Sequence, residues 1–306
     1  MAKHVVVGTG PVGTATARLL AERGDDVVVV TRSGSGPQHP RITRTAADAG
    51  DVQQLGAIAR GAVAIHNCAN PAYQRWPTDW PPLAASLLTA AERTGAVLAT
   101  VSNLYGYGPV DGPITEDLPL AATGPKGRVR AQMWIDALAA HRAGRVRVTE
   151  VRGSDYVCAG PNSSLGRVAR RALAGRPVRV LRSADTAHSW TSPDDVARLL
   201  VTVATDERGW GRAWHVPSNE PRTQREALAD LCRVAGASPG AVREYPEWLI
   251  RALGLVVPLI RELPEVGYQF ERPFVLDSSA AKVQFALIPT PWDELLAGLV
   301  EAYPHR

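Results

Sequence analysis

The stretch His4 to Arg32, HVVVGTGPVGTATARLLAERGDDVVVVTR, limits the possible folds more than any other part of the chain. A short apolar run, His4 to Val7, reads as a buried strand. Gly8, Gly10 and Gly13 follow with the spacing G-x-G-x-x-G. A helical apolar pattern begins at once, with Ala15, Leu19 and Leu20 on one face and Gly24 as its stop. Val27 to Val30 reads as a second buried strand. The glycines have separate tasks. Gly8 lets the chain turn tightly out of the strand, Gly10 lets backbone approach a pyrophosphate, and Gly13 lets helix pack on strand. The helix N-terminus adds N–H groups and a partial positive charge for the phosphates. Gly8, Gly10, Pro11, Val12 and Gly13 are therefore expected to cradle a dinucleotide.

The end of the second strand bears on which dinucleotide. A binder of the form with a free ribose 2′-hydroxyl usually carries Asp or Glu there, whereas this chain has Thr31, Arg32 and Ser33. A guanidinium grips a 2′-phosphate with paired hydrogen bonds. The expectation is NADP(H), with NAD(H) also accepted where Arg32 only stacks on the adenine.

Composition bounds the rest. The 306 residues suffice for one large α/β domain plus a smaller lobe. A hydrophobic share of 45% with 21% charged residues marks a folded chain. The net charge of +4 is scattered, with no basic run and no aromatic–basic interleaving, which argues against nucleic acid as the main partner. Cys68, Cys158 and Cys232 are odd in number, far apart and lack a C-x-x-C, so neither a disulfide framework nor a zinc site follows, and no other metal is expected. A reducing, cytoplasmic setting fits. The first strand begins by residue 4, which leaves no room for a signal peptide. No apolar run approaches the ~18 residues of a membrane helix. The nearest, Trp248 to Ile260, is broken by Arg251 and Pro258. The expected partner is a small-molecule substrate, with no nucleic acid and no membrane, for a monomer or homodimer.

Along the chain, Ser33 to Pro40 is a loop and Arg41 to Thr45 a third strand. Asp48 and Asp51 open a helix through Ala59. Ala62 to Asn67 is a fourth strand. Residues 70–82 read as a loop, because Trp76 and Trp80 lie among four prolines. A helix from Leu83 to Thr94 stops at Gly95. Val97 to Val101 is a fifth strand ending in Ser102-Asn103. A turn-rich segment leads to a helix at Gly127 to Ala143, and Val146 to Val151 is a sixth strand. This alternation predicts an α/β fold with a Rossmann-type, doubly wound parallel sheet and its ligands at the carboxyl ends of the strands. Further helices are expected at Ser164–Leu173, Pro193–Ala204, Gln224–Ala235, Pro246–Leu253 and Trp292–Ala302. Short strands are expected at Val178–Leu181, Ala213–Val216 and Pro273–Leu276. Residues 1–160 are read as the cofactor domain, with about 178–217 returning to it, and 161–306 mainly as a substrate lobe.

With these pieces in place, the chain resembles the extended short-chain dehydrogenase/reductase superfamily, in its epimerase/dehydratase branch, over nearly its full length. The motifs are the Gly8–Gly13 fingerprint, Asp48-Ala49-Gly50-Asp51, Val101 to Gly108, Arg152 to Pro161, His188-Ser189-Trp190 with Asp194-Asp195-Val196-Ala197, and Ile288 to Trp292. The resemblance implies that Asp48, with Ala49 beside it, faces the adenine, Ala69 the adenosine ribose, and that Asn70 lies along the cofactor. It also implies that Gly153 to Val157 passes the nicotinamide. Asp48 has a plainer alternative role as a helix N-cap.

The family carries Ser, Tyr and Lys, the last two as Y-x-x-x-K on the helix after strand five. Here Lys126 falls at the Tyr position, Arg130 at the Lys position, and Asn103 at the Ser position with Ser102 beside it, which makes this an atypical member. Arg130 keeps a charge able to reach the ribose. Asn103 is able to donate to a carbonyl oxygen. A lysine ammonium, with an ordinary pKa of about 10.4 against about 10 for tyrosine, is able to protonate an alkoxide as hydride arrives, but removing a proton needs the neutral amine. Lys126 otherwise reads as a solvated lysine and Arg130 as a surface arginine. Tyr105, Tyr107, Tyr156 and His188 are further proton sources, and Tyr107, Tyr156, His188 and Trp190 are candidate substrate contacts.

The expected activity is an NADPH-dependent ketoreductase. Eight Trp, among them Trp76, Trp80, Trp134, Trp190 and Trp248, suggest a flat aromatic substrate, and similar reductases modify polycyclic polyketides in antibiotic biosynthesis. Two other readings stand beside it: a nucleotide-sugar epimerase or dehydratase, and a non-catalytic NADP(H)-binding sensor.

Overall fold

The computed structural model describes residues 1–161, 163–255 and 262–303. The chain divides into two compact units. The first comprises Met1–Gly108, Pro119–Arg152 and Asp194–Val216, and the second Pro109–Leu118, Gly153–Pro193 and Pro217–Arg306.

The first unit holds β1 (Lys3–Val7), α1 (Pro11–Glu22), β2 (Asp26–Thr31), β3 (Ile42–Ala46), α2 (Val52–Ile58), β4 (Ala64–Asn67), α3 (Trp76–Thr94), β5 (Val97–Asn103), α4 (Pro125–Arg142) and β6 (Val148–Gly153). The seven-stranded sheet has the order β10-β6-β5-β4-β1-β2-β3, where β10 is Ala213–His215. The pairs β1–β2, β1–β4, β2–β3, β4–β5 and β6–β10 are all parallel. Parallel strands are covered on both faces, which explains why His4 to Val7 and Ala64 to Asn67 are buried without alternation. On one face Val5, Val7, Ile65, Leu98 and Val148 form a core with Leu55, Leu87, Ala90 and Trp134. The buried face of α1 is Val12, Gly13, Thr16, Ala17, Leu20 and Ala21; of the expected Ala15, Leu19 and Leu20 only Leu20 belongs to it, because small residues bring the helix close to the sheet.

One expected loop is a helix. α3 starts at Trp76, so residues 76–82 belong to it. Pro77 sits at the start, where no N–H is needed. Pro81 and Pro82 lie inside and cost two backbone bonds, yet Trp76, Trp80, Leu87 and Ala91 line one buried side.

The second unit contains β7 (Asp155–Tyr156), α5 (Ser164–Leu173), β8 (Val178–Val180), β9 (Trp190–Thr191), α7 (Gln224–Val234), β11 (Val242–Glu244), α8 (Glu247–Gly254), a 3-10 helix Leu263–Phe270, α9 (Ser279–Phe285) and α10 (Trp292–Glu301). α6 (Pro193–Thr205) carries the chain back into the first unit. β8 pairs with β11 and β7 with β9, so residues 178–192 stay in the second unit and the return to the sheet begins at Asp194. The strand expected at Pro273–Leu276 is reduced to isolated bridges from Phe274 to His188 and from Leu276 to Ile114. Of the apolar run Trp248–Ile260, residues 256–260 lie outside the described residues.

Candidate functional site

The glycine cradle of the first unit is fixed by contact. Gly8 has φ +94°, and a Cβ there would lie 2.7 Å from the Cys68 carbonyl oxygen. A Cβ on Gly13 would fall 2.1 Å from the Gly8 carbonyl oxygen, so α1 is able to meet β1 only without a side chain at that position. Gly10 differs: its Cβ would meet nothing within 4 Å. That open space lies at the N-terminus of α1, whose cap has no side-chain hydrogen bond and whose first turn has no acid. The amides of Val12 and Gly13 precede the first intrahelical bond, from Thr14 N–H to the Gly10 carbonyl. Pro11 contributes φ and no donor. The residues present therefore fit a dinucleotide pyrophosphate.

Around this cradle, Arg32 and Ser33 are exposed in the turn after β2, where the Ser33 hydroxyl donates to Ser35 Oγ. Asp51 is the N-cap of α2, accepting from the Gln53 and Gln54 amides, and these bonds hold its carboxyl below the usual carboxylate range. That leaves Asp48 outside the cap: it accepts from Gly50 N–H at 2.9 Å and is exposed, with Ala49 buried beside it. Ala69 N–H donates to Asn67 Oδ1, and Asn70 is exposed after β4. Burial pushes the Cys68 thiol up to about 12, so it is not a ready nucleophile.

The second cluster joins β5, the turn after it and α4. Asn103 Oδ1 accepts from Tyr105 N–H at 3.1 Å, which orients the amide with Nδ2 left to donate. Ser102 beside it is buried. A Cβ on Gly127 would lie 2.6 Å from the Tyr105 carbonyl oxygen, so the first turn of α4 rests directly on this segment. The helix that carries Lys126 and Arg130 thus packs on the turn that follows Asn103, and Arg130 reaches back to Val101 on the same strand as Asn103. Both overturn their plainer readings. Lys126 is 1% exposed, with Nζ 4.9 Å from the centroid of the Tyr73 ring. Arg130 is 7% exposed; its Nη2 donates to the Val101 carbonyl at 2.8 Å, and its guanidinium lies 4.7 Å from Trp80 and 5.4 Å from Trp76. Sequence reasoning missed Tyr73, Trp76 and Trp80 as partners of these cations. The signal was the spacing Trp76, Trp80, Leu83, Leu87, masked by the prolines.

Other expected contacts turn inward. Tyr107 is buried, and its hydroxyl is engaged by Arg152 Nη1 at 2.5 Å and His215 Nε2 at 2.8 Å, with Glu150 on Arg152 at 2.7 Å. It is a core residue of the first unit. In the second unit, His188 is fully buried between Phe270 and Phe274, with Nδ1 3.0 Å from the Gln269 carbonyl and Nε2 3.0 Å from Asp155 Oδ2. Because a carbonyl only accepts, Nδ1 carries a proton. Burial opposes the charge on Asp155, but His188 and the Ser164 hydroxyl outweigh it and hold the carboxyl below its usual value. Trp190 is buried and donates to the Arg222 carbonyl. Tyr156 is half-buried in β7. His188 and Trp190 thus build a core rather than present a surface. The same holds for Trp76, Trp80 and Trp134, all buried, while Trp248 is 70% exposed. These four buried indoles are committed to packing, which removes the tryptophan count as an argument for a flat aromatic substrate.

A parallel sheet with a glycine cradle after β1 and a polar cluster after β5 defines a Rossmann-type fold of the dinucleotide-binding kind. The family model for the NAD dependent epimerase/dehydratase family matches residues 5–216. The chain belongs to that family of oxidoreductases, within the extended short-chain dehydrogenases/reductases. Solved structures agree over the whole length. UDP-glucose 4-epimerase from Thermotoga maritima, solved with UDP-glucose, superposes with a TM-score of 0.80 at 17% identity, covering 98% of each chain. dTDP-glucose 4,6-dehydratase from Streptomyces venezuelae, solved with NAD bound, gives 0.78 at 22% identity, covering 99% of this chain and 97% of that one. A UDP-glucose 4-epimerase from Thermus thermophilus in complex with NAD gives 0.78 at 18%, covering 98% of each. No curated protein sequence matches the chain. Among the described residues no helix is long and apolar enough to cross a membrane.

Proposed function

We propose that this protein is a reductase that uses NADPH to convert a ketone of a small molecule into an alcohol. The observation that carries the reading is the buried pair Lys126 and Arg130, one helical turn apart on the helix that packs against the turn after β5, where the family resemblance puts the chemistry. The first unit binds the cofactor and the second is the substrate lobe. Gly8, Gly10, Val12 and Gly13 hold the pyrophosphate, Asp48, Ala49, Ala69 and Asn70 flank the adenosine, and Arg32 with Ser33 takes the 2′-phosphate. That exposed guanidinium, with no carboxylate in the β2 turn, supports NADP(H) over NAD(H).

NADPH held in this cradle would supply the hydride for the carbonyl carbon. Asn103 Nδ2 donates to the carbonyl oxygen and stabilises the charge that grows there. The Lys126 ammonium then transfers a proton to that oxygen, giving the alcohol and a neutral amine that solvent reprotonates. Arg130 holds the nicotinamide ribose and the position of the ring. A lysine acid favours this direction, since alcohol oxidation requires the amine to be neutral at the outset.

The test is loss of the reduced nicotinamide absorbance when enzyme and NADPH meet a broad ketone panel, run beside UDP- and dTDP-sugars. Turnover of ketones with dependence on Lys126 is expected. Turnover of sugar nucleotides alone sends the protein to the epimerase/dehydratase reading, and tight binding with no hydride transfer to any acceptor sends it to the sensor reading.

A further inference from the structure

Two cations one turn apart on the same helix repel, and burying them adds a desolvation cost. The structure buries both Lys126 and Arg130 and sets the faces of three aromatic rings against them. All three rings come from one short stretch, Tyr73 to Trp80. That stretch is locked to itself and to the strand ends. Trp76 Nε1 donates to the Pro71 carbonyl at 3.1 Å. Tyr73 meets Trp76 edge-on at 5.1 Å, Trp76 meets Trp80 edge-on at 6.3 Å, and Tyr105 lies 6.1 Å from Trp76. Arg75 and Asp79 add a paired ion contact on the outer side.

We infer that Trp80, backed by Trp76, is a positioning residue for Arg130, and that Tyr73 does the same for Lys126. An indole face attracts a guanidinium and also fixes its plane. With Nη2 tied to the Val101 carbonyl, one in-plane direction of Arg130 is set as well, so its N–H groups point along fixed lines. Lysine in place of arginine keeps the charge but has no plane to fix. The inference rests on the reading that Arg130 holds the nicotinamide ribose and Lys126 is the acid; the arrangement of cations and rings stands apart from that reading and is tested separately.

The first measurement uses the cofactor-free protein. In a nitrogen–proton correlation spectrum, the Arg130 Nε–H resonance, assigned by its disappearance in Arg130→Lys, should be shifted strongly upfield by the ring currents of Trp80 and Trp76. Site-specific replacement of Trp80 by increasingly fluorinated tryptophan keeps the shape and drains the ring of charge. Nε–H exchange with solvent should then speed up step by step. An Arg130 resonance at the ordinary exposed position, or exchange indifferent to fluorination, overturns the inference.

The second measurement is kinetic. Along the fluorination series KM for NADPH should rise to about tenfold with kcat nearly unchanged. Trp80→Phe should recover most of what Trp80→Leu loses. Tyr73→Leu should instead lower kcat with little change in KM. A fall in kcat alone across the Trp80 series contradicts the assignment. Failure of the native protein to bind NADPH at all defeats the functional reading, and the resonance and exchange data then decide the positioning claim alone.

Discussion

The turns after β1 and β5, on the same edge of the central sheet, are built on opposite principles. After β1 the site is made of backbone: Gly8 and Gly13 have no room for a Cβ, and Gly10 needs the open space beside it. After β5 the site is made of side chains: Asn103, oriented by the Tyr105 turn, and Lys126 and Arg130, which lie against rings of α3 and of Tyr73 just before it. A backbone cradle leaves almost no freedom of residue type. A side-chain cluster accepts new residue types provided their charge and packing are met, and the family resemblance implies that Lys126, Arg130 and Asn103 occupy positions where the family has Tyr, Lys and Ser. Reduction needs hydride, which NADPH would supply, and beyond it only a donor to the oxygen and one proton, which Asn103 and Lys126 are able to supply.

Substitutions break this contrast in a definite order. Gly13→Ala should do the most damage, since its Cβ would sit 2.1 Å from a backbone oxygen. Calorimetry and thermal melts should show lost NADPH binding and a stability loss of about 3 kcal/mol or more. Lys126→Met comes next: kcat should fall by about 100- to 1,000-fold with NADPH affinity nearly unchanged. An unaltered kcat would mean that the proton comes from elsewhere. Gly10→Ala is the counterpart of Gly13→Ala on the same loop. Its φ of −65° suits alanine, so the melting temperature should hold while NADPH binding weakens about tenfold, or about 1.4 kcal/mol. A drop in both would show that Gly10 serves the fold rather than the ligand. Arg32→Ala should weaken NADPH binding by a similar or smaller factor, about three- to tenfold, and leave NADH untouched. Equal effects on the two cofactors would assign Arg32 to the adenine.

The smallest effect concerns pH. On β1 and β4, His4 Nδ1 lies 3.0 Å from His66 Nε2. Burial, and then the neighbouring His4, drives His66 well below its ordinary value; burial also lowers His4, against a smaller opposite pull from Asp25. Both rings are neutral in the fold, while the unfolded chain takes up their protons near pH 6.5. Their contribution is therefore complete above about pH 6.5 and is lost as the pH falls below it toward the depressed folded values. Urea unfolding at about pH 7.5 and about pH 5.5 should show this loss, and His66→Leu should reduce it. Identical midpoints would remove the histidine pair as its source.

The elements that sequence made legible are those whose cause is local. Glycine spacing, valine runs and the acidic pair Asp48 and Asp51 announced β1, α1, β2 and α2, because turn sterics and strand burial act over a few neighbours. α3 was hidden, since its prolines argue for a loop and only the packing of Trp76 and Trp80 overrides them. Asp48 was open to two roles until Asp51 was seen to hold the cap.

Residue types at the candidate site were likewise plain from the chain: a lysine and an arginine four positions apart, and an asparagine at a strand end. Their surroundings were not. A lysine is solvated by default, and nothing near residue 126 in sequence signals burial against a ring more than fifty positions upstream. Tyr107, His188 and Trp190 offered the right chemistry and were claimed instead by cores through partners as distant as His215, Gln269 and Arg222. Sequence by itself determined the parallel sheet and the dinucleotide cradle, because both follow from backbone rules that each short segment obeys alone. Only the tertiary structure decided which polar side chains are enclosed and by what, because desolvation and ring contacts depend on residues that chain folding, not chain order, makes neighbours.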